Sequence, residues 1–272
     1  MWMPMQKMLA FLLQGGHAEC YEFVDRKTNA VYAGKIVSKT SLNRPRLKQN
    51  MEKEIHIHKN LRHKHIVDFY SHFEDNDNHY IILELCRRES LVEMLLYRHT
   101  LTEAEVRYFL RQLLLACEYL VQERVIHRDL KLGNLLLTED MQLKVADFGF
   151  ATRVIYKGEL KKICCGTPNY VAPEILARTG HSYEADIWSI GCIMYALLVG
   201  APPFRSSSEK KTYDRIKNNQ YQIPSTVSSH ASTLIQWMLH PEPAKRPSIE
   251  AIMHHDFMTK GRLYSRMVAM LR

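Results

Sequence analysis

The sequence predicts an α+β fold in two lobes: a small antiparallel sheet with one key helix, then a larger, mainly helical lobe. Three observations carry that prediction. Stretches of strand-forming residues separated by turn residues fill the first third of the chain, broken by one helical pattern from about Pro45 to Leu61. Apolar residues at helical spacing dominate the second half. Between these regions lies Val125 to Gly149, VIHRDLKLGNLLLTEDMQLKVADFG, where acids, an amide and a lysine are spaced for phosphate chemistry.

In chain order, Glu19–Asp25 and Ala30–Ser38 read as strands joined by the turn Arg26-Lys27-Thr28-Asn29. Ahead of them, Gly15-Gly16 offers backbone without side chains that can lie against phosphates. The opening MWMPMQKMLAFLLQGG has a weak leader-like look, but its apolar core, Met8 to Leu13, is too short, and no small-residue cleavage site precedes Gly15. Lys35 sits among apolar neighbours in Ala33-Gly34-Lys35-Ile36, although a surface lysine is the ordinary alternative. Glu54, on the following helix, shares its face with apolar residues and is preferred over Glu52 as a partner for Lys35. His56, His58, His63 and His65 suggest a metal only superficially, because His56 and His58 project from different sides of the helix. Val67–Phe73 and Asn78–Leu85 form a hairpin around Glu74-Asp75-Asn76-Asp77, an acidic turn without the length or terminal glutamate of a calcium loop.

Beyond Ser90 the chain turns helical, and Thr102-Glu103-Ala104-Glu105 reads as a capping box opening a long helix to Gln122. Val106, Phe109, Leu110, Leu113 and Leu114 form its core face. Leu135–Leu137 and Leu143–Val145 flank a turn at Glu139–Asp140. That short hairpin sets Asp129 and Asn134 on one loop and Asp147, of Asp147-Phe148-Gly149, on the next. Phosphoryl transfer needs such a set: a carboxylate to take the nucleophile's proton, and oxygen ligands for Mg²⁺ on the phosphates. Acids that merely cap a polar turn are the plain alternative, and the length and order of the pattern argue against it. Ala151–Lys162 reads as a polar, mobile segment ahead of Cys165-Gly166-Thr167-Pro168-Asn169-Tyr170-Val171-Ala172-Pro173-Glu174. Ile187 to Ala201 is apolar but falls short of a membrane span and reads as a buried helix; Ser208 to Met258 is helical, with loops at Pro224 and Pro241–Pro243.

Composition sets outer bounds. With 272 residues, 46% hydrophobic and 24% charged, the chain can bury a large core as one two-lobed domain or two small ones. A net charge of +8 points to acidic partners. The basic residues are scattered and not interleaved with aromatics, which disfavours nucleic acid. Six cysteines with no CxxC pair fit a reducing, cytosolic or nuclear compartment.

Taken together, these motifs resemble the eukaryotic protein kinases over about residues 11 to 257. HRDLK, with Lys131 two places after Asp129, is similar to the serine/threonine branch. GGxAxCYE at Gly15–Glu22, AGKIV, EDNDN, LELCRRxSL, VIHRDLKLGNL, CGTPNYVAPE and WSIGCIMYALLVGxPPF resemble the polo-like kinases more closely still. The resemblance implies a protein kinase fold over residues 1–257, with an N-lobe at about 8–85 and a C-lobe at about 87–257. Residues 258–272 would be a basic tail or the start of a linker.

The resemblance also implies ATP and Mg²⁺ as cofactors, and a role for each matching residue. Asp129 would orient the substrate hydroxyl and accept its proton, Lys131 would steady the γ-phosphate, and Asn134 and Asp147 would hold Mg²⁺. Lys35, set by Glu54, would grip the α- and β-phosphates. Leu13, Gly15, Gly16, Cys20, Ala33 and Leu136 would enclose the nucleotide. Leu83 would wall the back, and Glu84-Leu85-Cys86 would bind the adenine through backbone groups. Phe148, Gly149, Ile163, Thr167 and Glu174 would belong to the activation segment, with Thr167 near Asp129. Glu174 would pair with Arg246, and Asp186 would brace the catalytic loop. Expected partners are protein substrates with acidic residues near the target Ser or Thr, bound by a monomeric kinase domain without nucleic-acid or membrane contact. The expected location is nuclear and cytoplasmic, with centrosome and spindle association where polo boxes exist.

Three departures stand out. Leu13 replaces the first glycine of the family's glycine-rich loop, which would lower ATP affinity; Ile163 replaces the activating threonine, leaving the Arg128 cluster without its phosphate; and nothing after Thr259 resembles a polo box. Leu13 and Ile163 support a rival reading, a pseudokinase-like scaffold that keeps the fold and works by contact. The presence of Asp129, Asn134 and Asp147 favours the enzyme.

Overall fold

The protein is described here by a computed structural model covering residues 6–14 and 18–260. Gly15, Gly16 and the tail beyond Lys260 lie outside the described residues, as does the side chain of Leu13.

Five antiparallel strands form the N-lobe sheet: β1 (Gln6–Gln14), β2 (Glu19–Asp25), β3 (Val31–Ser38), β4 (Phe69–Glu74) and β5 (Asn78–Leu83), in the order β1-β2-β3-β5-β4. The apolar stretch Met8 to Leu13, not read as a strand from sequence, lies in β1, and Leu13 pairs with Cys20. The β2–β3 turn closes with Asn29 in the left-handed region at φ 56°, a conformation that asparagine tolerates. At Gly34 a Cβ would lie 2.1 Å from the Phe23 ring, so glycine is required for that ring to cover β3. The helix α1 (Pro45–His58) starts with proline in its first turn and ends three residues short of the expected Leu61. Its residue Met51 packs with Val37 and Leu42 in a small core separate from that of the C-lobe.

The C-lobe opens with β6 (Arg88–Ser90) and α2 (Leu91–Arg98), whose capping box joins Ser90 and Glu93. The long helix α3 (Glu103–Gln122) begins at the expected box: Glu105 N–H donates to Thr102 Oγ1, and the Glu105 carboxylate accepts from Thr102 N–H at 2.8 Å. Val106, Phe109, Leu110, Leu113 and Leu114 are all buried. Next come β7 (Val125–Ile126), β8 (Leu135–Leu137), β9 (Leu143–Val145) and β10 (Thr152–Arg153); β8 and β9 form the expected hairpin, and β10 pairs with β7. The chain continues through α4 (Pro173–Ala177), α5 (Glu184–Val199), α6 (Glu209–Lys217), α7 (Ser229–Met238), α8 (Ile249–His254) and α9 (Asp256–Thr259). Helix α5 is buried through most of its length and begins two residues before Asp186. Among the described residues no helix is long and apolar enough to cross a membrane.

One expectation is corrected. The segment Ala151–Lys162 is not uniformly polar: Val154 is buried, and Ile155, Tyr156 and Leu160 are exposed. Its course is fixed by the β10–β7 pair and by a bridge between Lys161 and His181.

Candidate active site

A cleft of about 760 Å³ lies between the lobes, lined by Cys20, Ala33, Leu83, Glu84, Cys86 and Leu136, and further in by Lys35, Glu54, Asn134 and Asp147. Strand register creates its upper wall, because antiparallel pairing sets Cys20 opposite Lys35 and Ala33 opposite Leu83. Burial pushes the Cys20 thiol up, and that of Cys86 up to about 12, so both are neutral. In the connector, Glu84 donates its N–H to Asp68 O at 2.9 Å, and its carboxylate pairs with Lys144 at 2.8 Å. The Glu84 amide hydrogen is therefore already used.

Lys35 Nζ lies 2.6 Å from Glu54 Oε1 and 3.7 Å from Asp147 Oδ1. Burial alone would discharge the lysine; Glu54 and Asp147 outweigh it and hold Lys35 above its ordinary value. Asp147 has a left-handed backbone, φ 64°, and accepts from Gly149 N–H at 3.2 Å. Burial opposes its ionised form, but Lys35 and that N–H hold its carboxyl below the usual range.

The loop after β7 carries the second half of the site. Asp186, in the first turn of α5, accepts from His127 N–H at 2.9 Å and from Arg128 N–H at 2.8 Å. Those bonds fix a turn in which Arg128 has φ 68°. Asp129 is consequently held from three sides. Thr167 Oγ1 donates to Oδ1 at 2.7 Å, Lys131 Nζ to Oδ2 at 2.8 Å, and Asn134 Nδ2 to Oδ2 at 3.2 Å. Lys131 also reaches Thr167 Oγ1 at 3.0 Å. Behind the loop, the Phe148 ring lies 4.6 Å from that of His58 and 5.1 Å from that of His127.

The donor set suits Mg²⁺. Asn134 turns its amide nitrogen toward Asp129, which leaves its oxygen for a cation, and Asp147 is ionised with a partly exposed carboxylate. Mg²⁺ commonly takes one or two protein ligands and completes its shell with phosphates and water. A zinc-type cluster of three His, Cys, Asp or Glu is absent among the described residues. The histidines singled out in the sequence are dispersed: His58 bonds Val67 O, His65 bonds Leu143 O, and His63 stacks on Tyr119.

Glu174 pairs with Arg246 through both carboxylate oxygens, at 2.7 and 2.8 Å, in a buried setting. Ile163 is exposed. Sequence reasoning missed Lys53, which donates to Thr152 Oγ1 at 2.9 Å, and Arg87, which lies 3.4 Å from both Glu22 of the N-lobe and Glu139 of the C-lobe. Neither carries a local sequence signal, since each partner is distant along the chain.

The protein kinase domain family model matches residues 8–258. The chain belongs to the protein kinase family, as a catalytic domain of the polo-like type. It is 54% identical over 257 residues to serine/threonine-protein kinase PLK1 of Xenopus tropicalis, covering 94% of this chain and 43% of that protein. It is 48% identical over 252 residues to serine/threonine-protein kinase polo of Drosophila melanogaster, covering 93% and 44%. A probable serine/threonine-protein kinase, CCRP1 of Zea mays, is 50% identical over 90% of this chain and 40% of its own length. The chain thus spans less than half the length of these curated relatives.

Proposed function

We propose that this chain is the catalytic domain of a serine/threonine protein kinase that moves the γ-phosphate of ATP to protein hydroxyls, preferring acidic surroundings and acting in cell division. The observation that carries this reading is the Asp129 carboxylate, fixed by Lys131, Thr167 and Asn134 beside the Lys35–Glu54 pair. Asp129 orients the incoming hydroxyl and takes its proton. Thr167, already bonded to Asp129, fixes the wall against which a Ser or Thr side chain rests. Lys131 sits where it can balance charge on the transferred group, while Lys35, aimed by Glu54, grips the other phosphates. Asn134 and Asp147 would hold Mg²⁺, which neutralises phosphate charge when bound. Cys20, Ala33, Leu83 and Leu136 close an apolar slot for the adenine, with Glu84 and Cys86 also lining the cleft.

The scaffold alternative has no observation in its favour at the reacting centre, where the proton acceptor and both metal ligands converge. The net charge of +8 supports acidic substrates. We place the domain, as a monomer, in the nucleus and cytoplasm, with spindle association if the full protein carries polo boxes; imaging of the tagged gene product checks this. The decisive measurement is transfer of labelled phosphate to casein. Asp129→Asn is expected to lose about 10²–10⁴-fold in rate, and equal rates for variant and parent would overturn the assignment.

A further inference from the structure

We infer that Arg87 is a positioning residue for the nucleotide: with Glu22 on one lobe and Glu139 on the other it forms an ionic clasp at the connector, which tightens when the lobes close and slows nucleotide release. The inference rests on the nucleotide reading of the cleft and adds to it the residues that set how long the nucleotide stays.

The connector is tied to both lobes at two points. At the first, the Glu84 carboxylate accepts from the N–H of Asp68, at the foot of β4, at 3.1 Å and lies 2.8 Å from Lys144 Nζ of β9. Three residues on, Arg87 Nη2 donates to Glu22 Oε1 of β2 at 3.4 Å, and Arg87 Nε lies 3.4 Å from Glu139 Oε1 in the β8–β9 turn. An acid makes the first tie and a base the second. Arginine suits the second because its planar fork offers two nitrogens to two carboxylates at once, where lysine is a single point charge.

Both anchors of Arg87 are joined closely to the site. Glu22 pairs in register with Ala33, which walls the adenine slot. Glu139 sits in a turn closed by Thr138 N–H to Gln142 O at 3.0 Å and Met141 N–H to Thr138 O at 2.9 Å. β8 begins at the residue after Asn134, and β9 ends two residues before Asp147. Arg87 therefore links the roof of the adenine slot to the hairpin that carries both proposed metal ligands.

The two ties differ in how readily they part. The side chains of Lys144 and Glu84 are 11% and 20% exposed, those of Arg87 and Glu139 44% and 73%. Exposed ion pairs are weak and are screened by salt. Opening of the lobes thus breaks the Arg87 clasp first and leaves Glu84 as the pivot. Both Arg87 distances also exceed the roughly 2.7–2.9 Å of a close charge-assisted bond, so the clasp has room to shorten on closure. A nucleotide held between the lobes favours the closed state, and whatever else holds that state slows its escape. The rival account is direct contact, since Arg87 itself lines the cleft. Glu139, out on its turn, tells the two apart: its charge matters to a clasp and not to a direct contact.

The test uses the whole chain and ADP carrying a fluorescent N-methylanthraniloyl label, with Mg²⁺, and follows release of the label by stopped flow. Arg87→Met and Glu139→Gln are each expected to speed release about two- to fivefold, the range of an exposed ion pair. The double variant should be no faster than the faster single one. In the casein assay the KM for ATP should rise by a like factor while kcat does not fall, a split that a general loss of structure would not give. Raising salt from about 50 mM to about 500 mM should speed release from the parent more than from Arg87→Met. Both positions are on the surface, so an unchanged Tm shows that the variants are folded. Unchanged release in Arg87→Met overturns the inference. So does full additivity in the double variant, and so does faster release in Arg87→Met with none in Glu139→Gln, which would mean direct contact with the nucleotide. A parent that binds no labelled ADP would overturn the nucleotide reading and the clasp with it, whereas equal release from parent and variants removes the clasp alone.

Discussion

The catalytic loop and the activation segment lie side by side, and they treat their polar groups in opposite ways. In the loop, His127, Asp129, Lys131 and Asn134 all have partners within the chain, and the backbone beneath them is pinned by Asp186. In the segment, apolar side chains face water, and behind it Arg128 Nη1 and His181 Nε2 are buried without a hydrogen-bond partner. Arg128 belongs to both regions, its backbone N–H satisfied by Asp186 and one arm of its side chain left open. Groups that perform chemistry at every turnover are preorganised, which keeps reorganisation out of the barrier.

The largest expected effect on stability would break this contrast from the satisfied side. Glu174→Ala leaves the Arg246 guanidinium buried without its carboxylate, a change that costs about 3–5 kcal/mol and lowers Tm by about 10 °C. Carbonyls of His240, Glu184 and Pro241 still accept from Arg246, so the lower end of that range is expected. Thermal unfolding checks it, and a loss below about 1 kcal/mol would show that this brace contributes no more than a surface pair.

A smaller effect comes from protons. Burial first, with Lys35 and Arg62 adding to it, pushes His58 from 6.5 down to about 4, and burial moves His65 the same way. The folded protein therefore refuses protons that the unfolded chain accepts below about pH 6.5. Stability is full above that pH and is lost as pH falls toward 4. For His58 the loss between about pH 7 and about pH 5 is roughly 2 kcal/mol. Urea titrations at the two pH values measure it. The tilted contact of the His58 ring with Phe148 ties this loss to the catalytic side, so the Asp129 environment and global stability should fail together on acidification.

How far the sequence revealed all this depended on how local each signal was. The β8–β9 hairpin was legible because two apolar runs flank an acidic turn, and α3 because Thr102 and Glu105 spell a capping box. The same spacing at Ser90 and Glu93 opens α2, a readable signal that was passed over. β1 was missed because Met8 to Leu13 is continuously apolar and lacks the alternation of a half-exposed strand. The pair β7 and β10 has two residues on each side, too few for any pattern. In the site, the Lys35–Glu54 partnership followed from register on α1, and Glu54 rather than Glu52 stands in it. Family resemblance, not spacing, supplied Asp186 and Arg246, whose partners lie 58 and 72 residues away. The left-handed backbone of Arg128 had no signal, because arginine does not favour a positive φ and tertiary hydrogen bonds impose it; aspartate tolerates that region, but its type alone does not single out Asp147.

The smallest expected effect tests the open side. Ile163→Thr exchanges one β-branched side chain for another at an exposed position, so stability should stay within about 0.5 kcal/mol of the parent. A phosphate added to that threonine by an upstream kinase would carry about −1.5 to −2 charges into the field of Arg128, Lys53 and Lys161. The phosphorylated variant should gain rate in the casein assay. No gain in rate would mean that residue 163 does not occupy the activating position.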